Sequence, residues 1–507
     1  NKRSQRPRIG DDFEYNDNAS WLDNKDTTER YMGKFDWNLT DSHRLELTLI
    51  GDDSVRDERR YGYNYTTHKR DYVLNTNARF RNTDTNNDSV GGDVTMLKYV
   101  GNLTENLTLQ TLYGQSKVKH GNDFSGSNVN SNVFAVTLDQ GADAPGVAYK
   151  FPQPTDSILA PLSEDKTRSF RLDLEYKLGQ HTIRGGFDNN KLITKNAGQF
   201  TAGGGTWNYK HTDTPNEEIS LSGVPGGFII GNYGGLGGQG YYVRKRIFTT
   251  TTDAGSDQSA QYIEDKYQVT KDILLTFGLR SESFKNKNGD GVTYMDQKNQ
   301  IAPRFAGSWN VNGDGSLKVF GSAGRYFIQI PTNVAVRGAS RSTNTSQYFT
   351  YTGVDANGAP TGLTQITQPG SNNNEYGQAK DPLVVVAKDL KPNFQDELTL
   401  GFEKSLTPSL NIGGKFTYRQ LKSTIDDFCD QRPFEKWALD NHVSTANWRG
   451  FGCATFNPGE DNTFIVDFND TVAPGAKHTE VRLTKADLGF EKAKRNYTSI
   501  DLFIEHP

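Results

Sequence analysis

The amino-acid sequence predicts an all-β protein, a large antiparallel β-barrel that crosses a membrane. Three observations predict it. First, apolar and polar residues alternate. In RSFRLDLEYKLGQHTIRGGF (168–187), Phe170, Leu172, Leu174, Tyr176 and Leu178 point one way, and Arg171, Asp173, Glu175 and Lys177 the other. Successive side chains of a strand lie on opposite faces, so this is a two-faced hairpin turning at Gly179-Gln180. Second, tight turns alternate with long polar segments, the layout of a barrel with short turns at one end and long loops at the other. Third, only 34% of the 507 residues are apolar and mean hydropathy is −0.72, yet 11% are aromatic. A soluble chain of this length usually carries about 45–50% apolar residues. A membrane barrel needs only one apolar face per strand.

The hairpins follow one another along the chain. Residues 31–39 (YMGKFDWNL) turn through TDSH into RLELTLIGD, and 96–103 (MLKYVGNL) turn through TEN into LTLQTLYG. After the hairpin at 168–187 come 261–269 and ILLTFGLR (273–280), joined by TKD. IAPRFAGSWNV (301–311) and LKVFGSAG flank NGDGS, and ELTLGFEKS (397–405) and LNIGGKFTYRQ (410–420) flank LTPS. NYTSIDLFIE opens a further strand. About a dozen strands are legible, too many for an eight-stranded barrel and in keeping with the 22-stranded, plugged class. Between hairpins, roughly 52–90, 115–166, 190–260, 281–299, 327–394 and 421–495 read as long polar loops. Their unequal lengths argue against a solenoid or propeller.

With this layout the apolar face looks outward to lipid. The charged face, with Arg171, Asp173, Glu175, Lys177, Glu397, Glu403, Lys415 and Arg419, looks into a wet lumen. Tyr31, Trp37, Tyr99, Tyr113, Trp309, Phe402 and Tyr418 near strand ends read as interfacial girdles. No apolar run approaches the length of a membrane-spanning helix. With a net charge of −4 and no basic run, nucleic-acid binding has no electrostatic footprint and is not expected.

Cys429 and Cys453 share one polar stretch with Trp437 and Trp448. Two cysteines in one loop read as a disulfide in an oxidising compartment, with unrelated free thiols as the alternative. Gly235-Leu236-Gly237-Gly238-Gln239-Gly240 fits GxGxxG, but neither the preceding strand nor the following helix of a dinucleotide site is legible, and a loop is expected. Asn288–Gly291 and Asn312–Gly315 resemble calcium loops without the spaced carboxylates, and read as turns. The eight histidines are scattered, and neither HExxH nor GxSxG occurs. No enzyme and no cofactor are expected. Loop aromatics Trp207, Tyr209, Phe228, Tyr241 and Tyr242 are the candidates for ligand contact; holding loop to loop is the competing role.

Several of these stretches together resemble one family. YMGKFDWNLTDSHRLEL resembles the strand–turn–strand that opens the barrel of TonB-dependent outer-membrane receptors. IAPRFAGSWNVNGDGSLKVFGSAGRYF (301–327) and LKPNFQDELTLGFEKSLTPSLNIGGKFTYRQ (390–420) resemble their later hairpins. RNYTSIDLFIEHP (495–507) resembles a strand of the Oar-like subgroup. The resemblance implies a receptor in the bacterial outer membrane that takes up a ligand bound at its extracellular loops. Its implied partners are membrane lipid, an unidentified extracellular ligand, and TonB, engaged through an N-terminal segment outside this sequence. The opening NKRSQRPRIGDDFEYND and the closing IDLFIEHP read as interior sequence. Residues 1–30 are then a segment leading into a barrel at 31–507, with a plug expected before it and further strands after it. An adhesive or structural surface barrel, or one serving export or sensing, is the alternative to uptake.

Overall fold

The computed structural model describes residues 2–5, 21–64, 66–83, 90–125, 133–138, 145, 157–160, 163–329, 336, 338–371, 375–446, 448, 450–468 and 478–506. Most of the opening stretch at 1–20 lies outside the described residues. One sheet of 20 strands dominates. Its wall consists of β1 (Trp21–Thr40), β2 (His43–Asn64), β3 (Gly92–Asn102), β4 (Leu107–Ser125), β5 (Ser163–Leu178), β6 (His181–Thr201), β7 (Tyr241–Thr270), β8 (Ile273–Lys287), β9 (Thr293–Asn310), β10 (Leu317–Phe327), β11 (Phe394–Thr407), β12 (Leu410–Ser423) and β13 (Asn496–Glu505). Each pairs antiparallel with the next. β1 begins at Trp21, upstream of the Tyr31 start read from the sequence.

Turn chemistry sets the register at the short end. Gly179, with φ 59°, closes β5 onto β6 so that Leu178 faces His181 and Arg171 faces Asp188. In the 312–316 turn, Asn310 Oδ1 accepts from the Gly315 amide at 2.9 Å and Asp314 Oδ1 from the Ser316 amide at 2.9 Å. Asn288 Oδ1 accepts from the Asp290 and Val292 amides. In these motifs Asn288 and Asp314 therefore spend their side chains on closing turns, and Asp290 pairs with Arg341.

Several segments read as loops are strand. β2 and β4 run to Asn64 and Ser125, and Lys69–Arg81 forms a further strand between their upper halves. β6 reaches Thr201, β7 starts at Tyr241, and 281–299 is the upper part of the β8–β9 hairpin. At about 3.3 Å per residue the 30-residue β7 runs on the order of 100 Å, far beyond a bilayer core of roughly 30 Å. A bulge between Thr194 and Ala197 interrupts the β6–β7 register in the upper part of β6. Gly198 beside it has φ 150°, and a Cβ there would lie 1.8 Å from the Thr250 carbonyl oxygen.

The two faces differ as the alternation requires. Phe170, Leu174, Tyr176 and Leu178 of β5 are exposed, as are Phe277, Phe305, Leu398 and Leu400 of later strands. On the opposite face Asp173 is 6% exposed. It accepts from Arg171 Nε at 2.9 Å, from Arg184 Nη2 at 2.8 Å and from the Tyr262 hydroxyl. Gly186 makes room for this cluster, because a Cβ there would fall 2.5 Å from the Tyr262 ring and 2.7 Å from Asp173 Oδ1. Arg280 bridges Asp188 at 3.1 Å and Glu282 at 2.5 Å. Arg419 meets Glu397, Lys318 meets Glu403 at 3.4 Å, and Lys415 meets Asp501 at 3.3 Å. Lys177 is exposed and Glu175 half-buried on the same face.

An apolar-face charge is expected to cost what lipid exacts. Leu400→Arg should lower stability in lipid vesicles by about 2–4 kcal/mol, and Thr399→Arg on the polar face by much less. Equal losses in urea unfolding would contradict this assignment of faces.

Candidate ligand-binding site at the loop end

At the long-loop end the connections fold into two aromatic-cored bodies. The first stands on the upper part of β7. Strand Thr206–His211 pairs with Tyr241–Arg246 on one side, and Thr343–Thr350 pairs with Val243–Thr249 on the other. The glycine-rich stretch between them forms two short 3-10 turns, Ile230–Tyr233 and Gly235–Gln239. Gly240, at φ 86°, then turns the chain into β7; a Cβ there would lie 2.0 Å from the Thr212 carbonyl oxygen. A strand, not a helix, follows the GxGxxG motif.

All five candidate loop aromatics fall in this body. Tyr209 is fully buried with Val136, Val243 and Tyr351, and Trp207 and Tyr241 pack partly buried against them. The Tyr209 hydroxyl donates to the Gly358 carbonyl oxygen at 2.8 Å, and its ring meets Tyr351 edge-on at 5.2 Å. Burial pushes the Tyr209 phenol well above its ordinary pKa, and burial raises Tyr351 to about 12. Tyr242 is buried beside Tyr348, and Phe228 packs against that cluster. Tyr209 and Tyr242, buried, pack loop against loop. Trp207, Phe228 and Tyr241 keep part of their surface open.

The second body comprises the connection from β12 to β13 and the strap at 381–391. Phe428, Phe434, Phe451, Phe456, Phe464 and Phe468 form its core, with Phe434 stacked on Phe451 at 4.0 Å. Helix α1 (Arg432–Asp440) starts with Pro433 in its first turn and buries Phe434 and Ala438, one helical turn apart. Cys429 and Cys453 are disulfide-bonded with Cα atoms 4.2 Å apart. The strap is stitched on through backbone bonds, Ala387 to Thr455 at 2.8 Å and Lys388 to Thr463 at 2.7 Å. His478 pairs with Asp381 at 2.7 Å. Burial opposes ionisation of Glu460, but Lys391 and Lys492 outweigh it and hold its carboxyl below the ordinary value.

Two recesses accompany these bodies. One of about 370 Å³ lies between the tip of the β8–β9 hairpin, the strap and the second body, lined by Tyr294, Met295, Leu383, Val386, Ile465 and His478. Another of about 210 Å³ lies on the polar face of the wall, where Arg280, Asp188, Asn190 and Gln258 converge. Neither was legible in the sequence, because their walls come from segments far apart along the chain. The six phenylalanines around the two cysteines were the available signal for the second body.

Replacing both Cys429 and Cys453 by Ser removes a cross-link 24 residues apart in sequence. It should cost the second body about 3 kcal/mol, read as faster proteolysis and hydrogen exchange within 424–495 while the wall keeps its protection. Glu460 binds its proton less readily folded than unfolded. Its stabilisation of the strap is therefore present above its ordinary pKa of 4.5 and lost as pH falls through the lower folded value. Glu460→Gln should abolish that acid step in strap exchange.

Comparison with known proteins agrees with this architecture. Residues 4–287 match the family described as outer membrane beta barrel domain. The TonB-dependent transporter Oar of Myxococcus xanthus is 24% identical over 203 residues, covering 35% of this chain and 18% of that protein. Among solved structures, the FrpB iron transporter from Neisseria meningitidis is 12% identical, with a TM-score of 0.42, covering 92% of this chain and 52% of that one. The ferripyoverdine receptor of the Pseudomonas aeruginosa outer membrane is 11% identical, with a TM-score of 0.41, covering 95% and 54%. The chain spans about half the length of these solved structures and less than a fifth of Oar. With more than half its length matched, and with this two-faced antiparallel wall, the chain belongs to the outer membrane beta barrel domain family, a bacterial outer-membrane barrel related to the TonB-dependent transporters.

Proposed function

We propose that this chain is the barrel part of a TonB-dependent receptor that captures a ligand at its extracellular loops and passes it across the outer membrane. In this reading the segment leading into the barrel ends before Trp21, and the residues from Trp21 onward supply its wall and loops. The observation that carries the reading is the loop end itself. Two folded bodies with aromatic cores stand above a wall whose polar face is lined by paired charges. Rigid loop bodies hold a binding surface in place at low entropic cost. A charged, hydrated inner face gives a polar ligand a path through the apolar layer. In this reading Arg171, Asp173, Glu175, Lys177, Glu397, Glu403, Lys415 and Arg419 line the lumen. Trp207, Phe228 and Tyr241, part-exposed on the first body, are the aromatic contacts open to a ligand. The relationship to Oar supports TonB as the periplasmic partner.

The natural full-length protein, purified from outer membranes, should be retained by the immobilised periplasmic domain of TonB. A strain lacking TonB should show the same surface amount of the protein but lose its transport phenotype. Absence of retention, together with loss of surface attachment on deletion, would favour an adhesive barrel instead.

A further inference from the structure

Lower on the polar face, several arginines of the wall are neutralised by carboxylates. Arg171 and Arg184 share Asp173, Arg280 sits between Asp188 and Glu282, and Arg419 meets Glu397. The stretch Val243–Arg246, high on β7, departs from that pattern. Arg244 and Arg246 are two residues apart and share the parity of Tyr262, so both lie on the polar face. Register sets Asn208 and Tyr348 beside Arg244, and Thr206 and Ser346 beside Arg246. None of these is acidic.

Each guanidinium is held by an amide oxygen. Arg244 Nε donates to Asn208 Oδ1 at 3.0 Å, and Arg246 Nε to Asn344 Oδ1 at 3.3 Å. Among the described residues neither arginine forms an ion pair, and their terminal Nη groups have no hydrogen-bond partner. The Phe248 ring, 5.1 Å from the Arg246 guanidinium carbon, shields one side of it from water. Both arginines are half-buried. Burial and the neighbouring Arg244 charge lower the Arg246 pKa.

Two like charges on strand residues whose Cα atoms are about 7 Å apart repel, and partial burial strengthens the repulsion. Pinning each Nε fixes the plane of the fork while leaving its terminal N–H groups free. That is the geometry in which arginine takes a carboxylate or phosphate. We propose that Arg244 and Arg246 form an anion-receiving subsite for the carboxylate or phosphate groups of a ligand entering from the extracellular side. The proposal deepens the receptor reading and rests on it. The subsite lies on the polar face, opposite the lipid-exposed rows, so its anion comes from solution and not from a lipid headgroup.

The test uses the full-length protein in nanodiscs of neutral lipid, titrated calorimetrically with citrate and with pyrophosphate. At least one anion should bind and raise the melting temperature. Arg244→Gln/Arg246→Gln should weaken binding about tenfold or more and abolish the melting shift. Arg244→Lys/Arg246→Lys, which keeps the charge, should retain part of both. Arg341→Gln, which removes a cation already paired with Asp290, should change neither. The subsite is refuted if neither anion binds, if the double Gln variant binds like the natural protein, or if binding appears only with phosphatidylglycerol itself as the anion. Retention on TonB is read in parallel. Lost anion binding with intact retention refutes the subsite alone, and the reverse refutes the receptor reading alone.

Discussion

A bilayer offers no water to an unpaired backbone amide or carbonyl, and each one left unsatisfied in hydrocarbon costs several kcal/mol. The wall answers that constraint with an antiparallel ladder from β1 to β13, in which each strand between those two is paired on both sides. Side chains then have only two directions to point. Lipid accepts the rows of Phe, Leu and Ile, and the polar face collects the charges. A polar face that is partly enclosed must neutralise those charges, which is why Asp173 gathers two arginines and a tyrosine. Gly186 is part of the same solution, because any side chain there would occupy the space of the Tyr262 ring.

Outside the membrane the constraint relaxes and a different economy takes over. The strands continue as upright sheets, and the connections fold on them with cores of their own. The second body is built from phenylalanine, a short helix, two small two-stranded sheets and one disulfide. Within it the side chain of buried Asn462 satisfies both backbone groups of buried Asn457: Asn462 Oδ1 accepts from the Asn457 amide, and Asn462 Nδ2 donates to the Asn457 carbonyl. The first body uses tyrosine instead, with buried hydroxyls tied to distant carbonyls at Gly358 and Ser222. Rigidity at the loop end therefore comes from loop-to-loop packing and not from the membrane.

The parts of the fold governed by a single local rule were legible in the sequence. Strict alternation and turn residues gave the hairpins at 31–49, 168–187 and 397–420, because lipid on one side and water on the other impose a period of two. The upper strands were missed for the same physical reason. In TTTTDAGSDQSAQ (249–261) the buried row is Thr252, Ala254, Ser256, Gln258 and Ala260, all small or polar, so the alternation carries little apolar contrast although the strand is continuous. The phenylalanine core of the second body has no period, since irregular loops bring its members together. The loop aromatics were recognised as special. Their burial depends on partners such as Tyr351 and Gly358, which lie far along the chain from Tyr209. No local pattern encodes such partners.

The central claim is that the apolar row faces lipid and the charged row faces water. Spin labels placed singly at each position from Phe170 to Leu178, in the full-length protein reconstituted in bilayers, test it most directly. The account predicts that oxygen accessibility peaks at the even positions and that accessibility to a water-soluble nickel complex peaks at the odd ones, a period of two along β5. A reversed phase, or uniform access of the water-soluble complex along the strand, would contradict it.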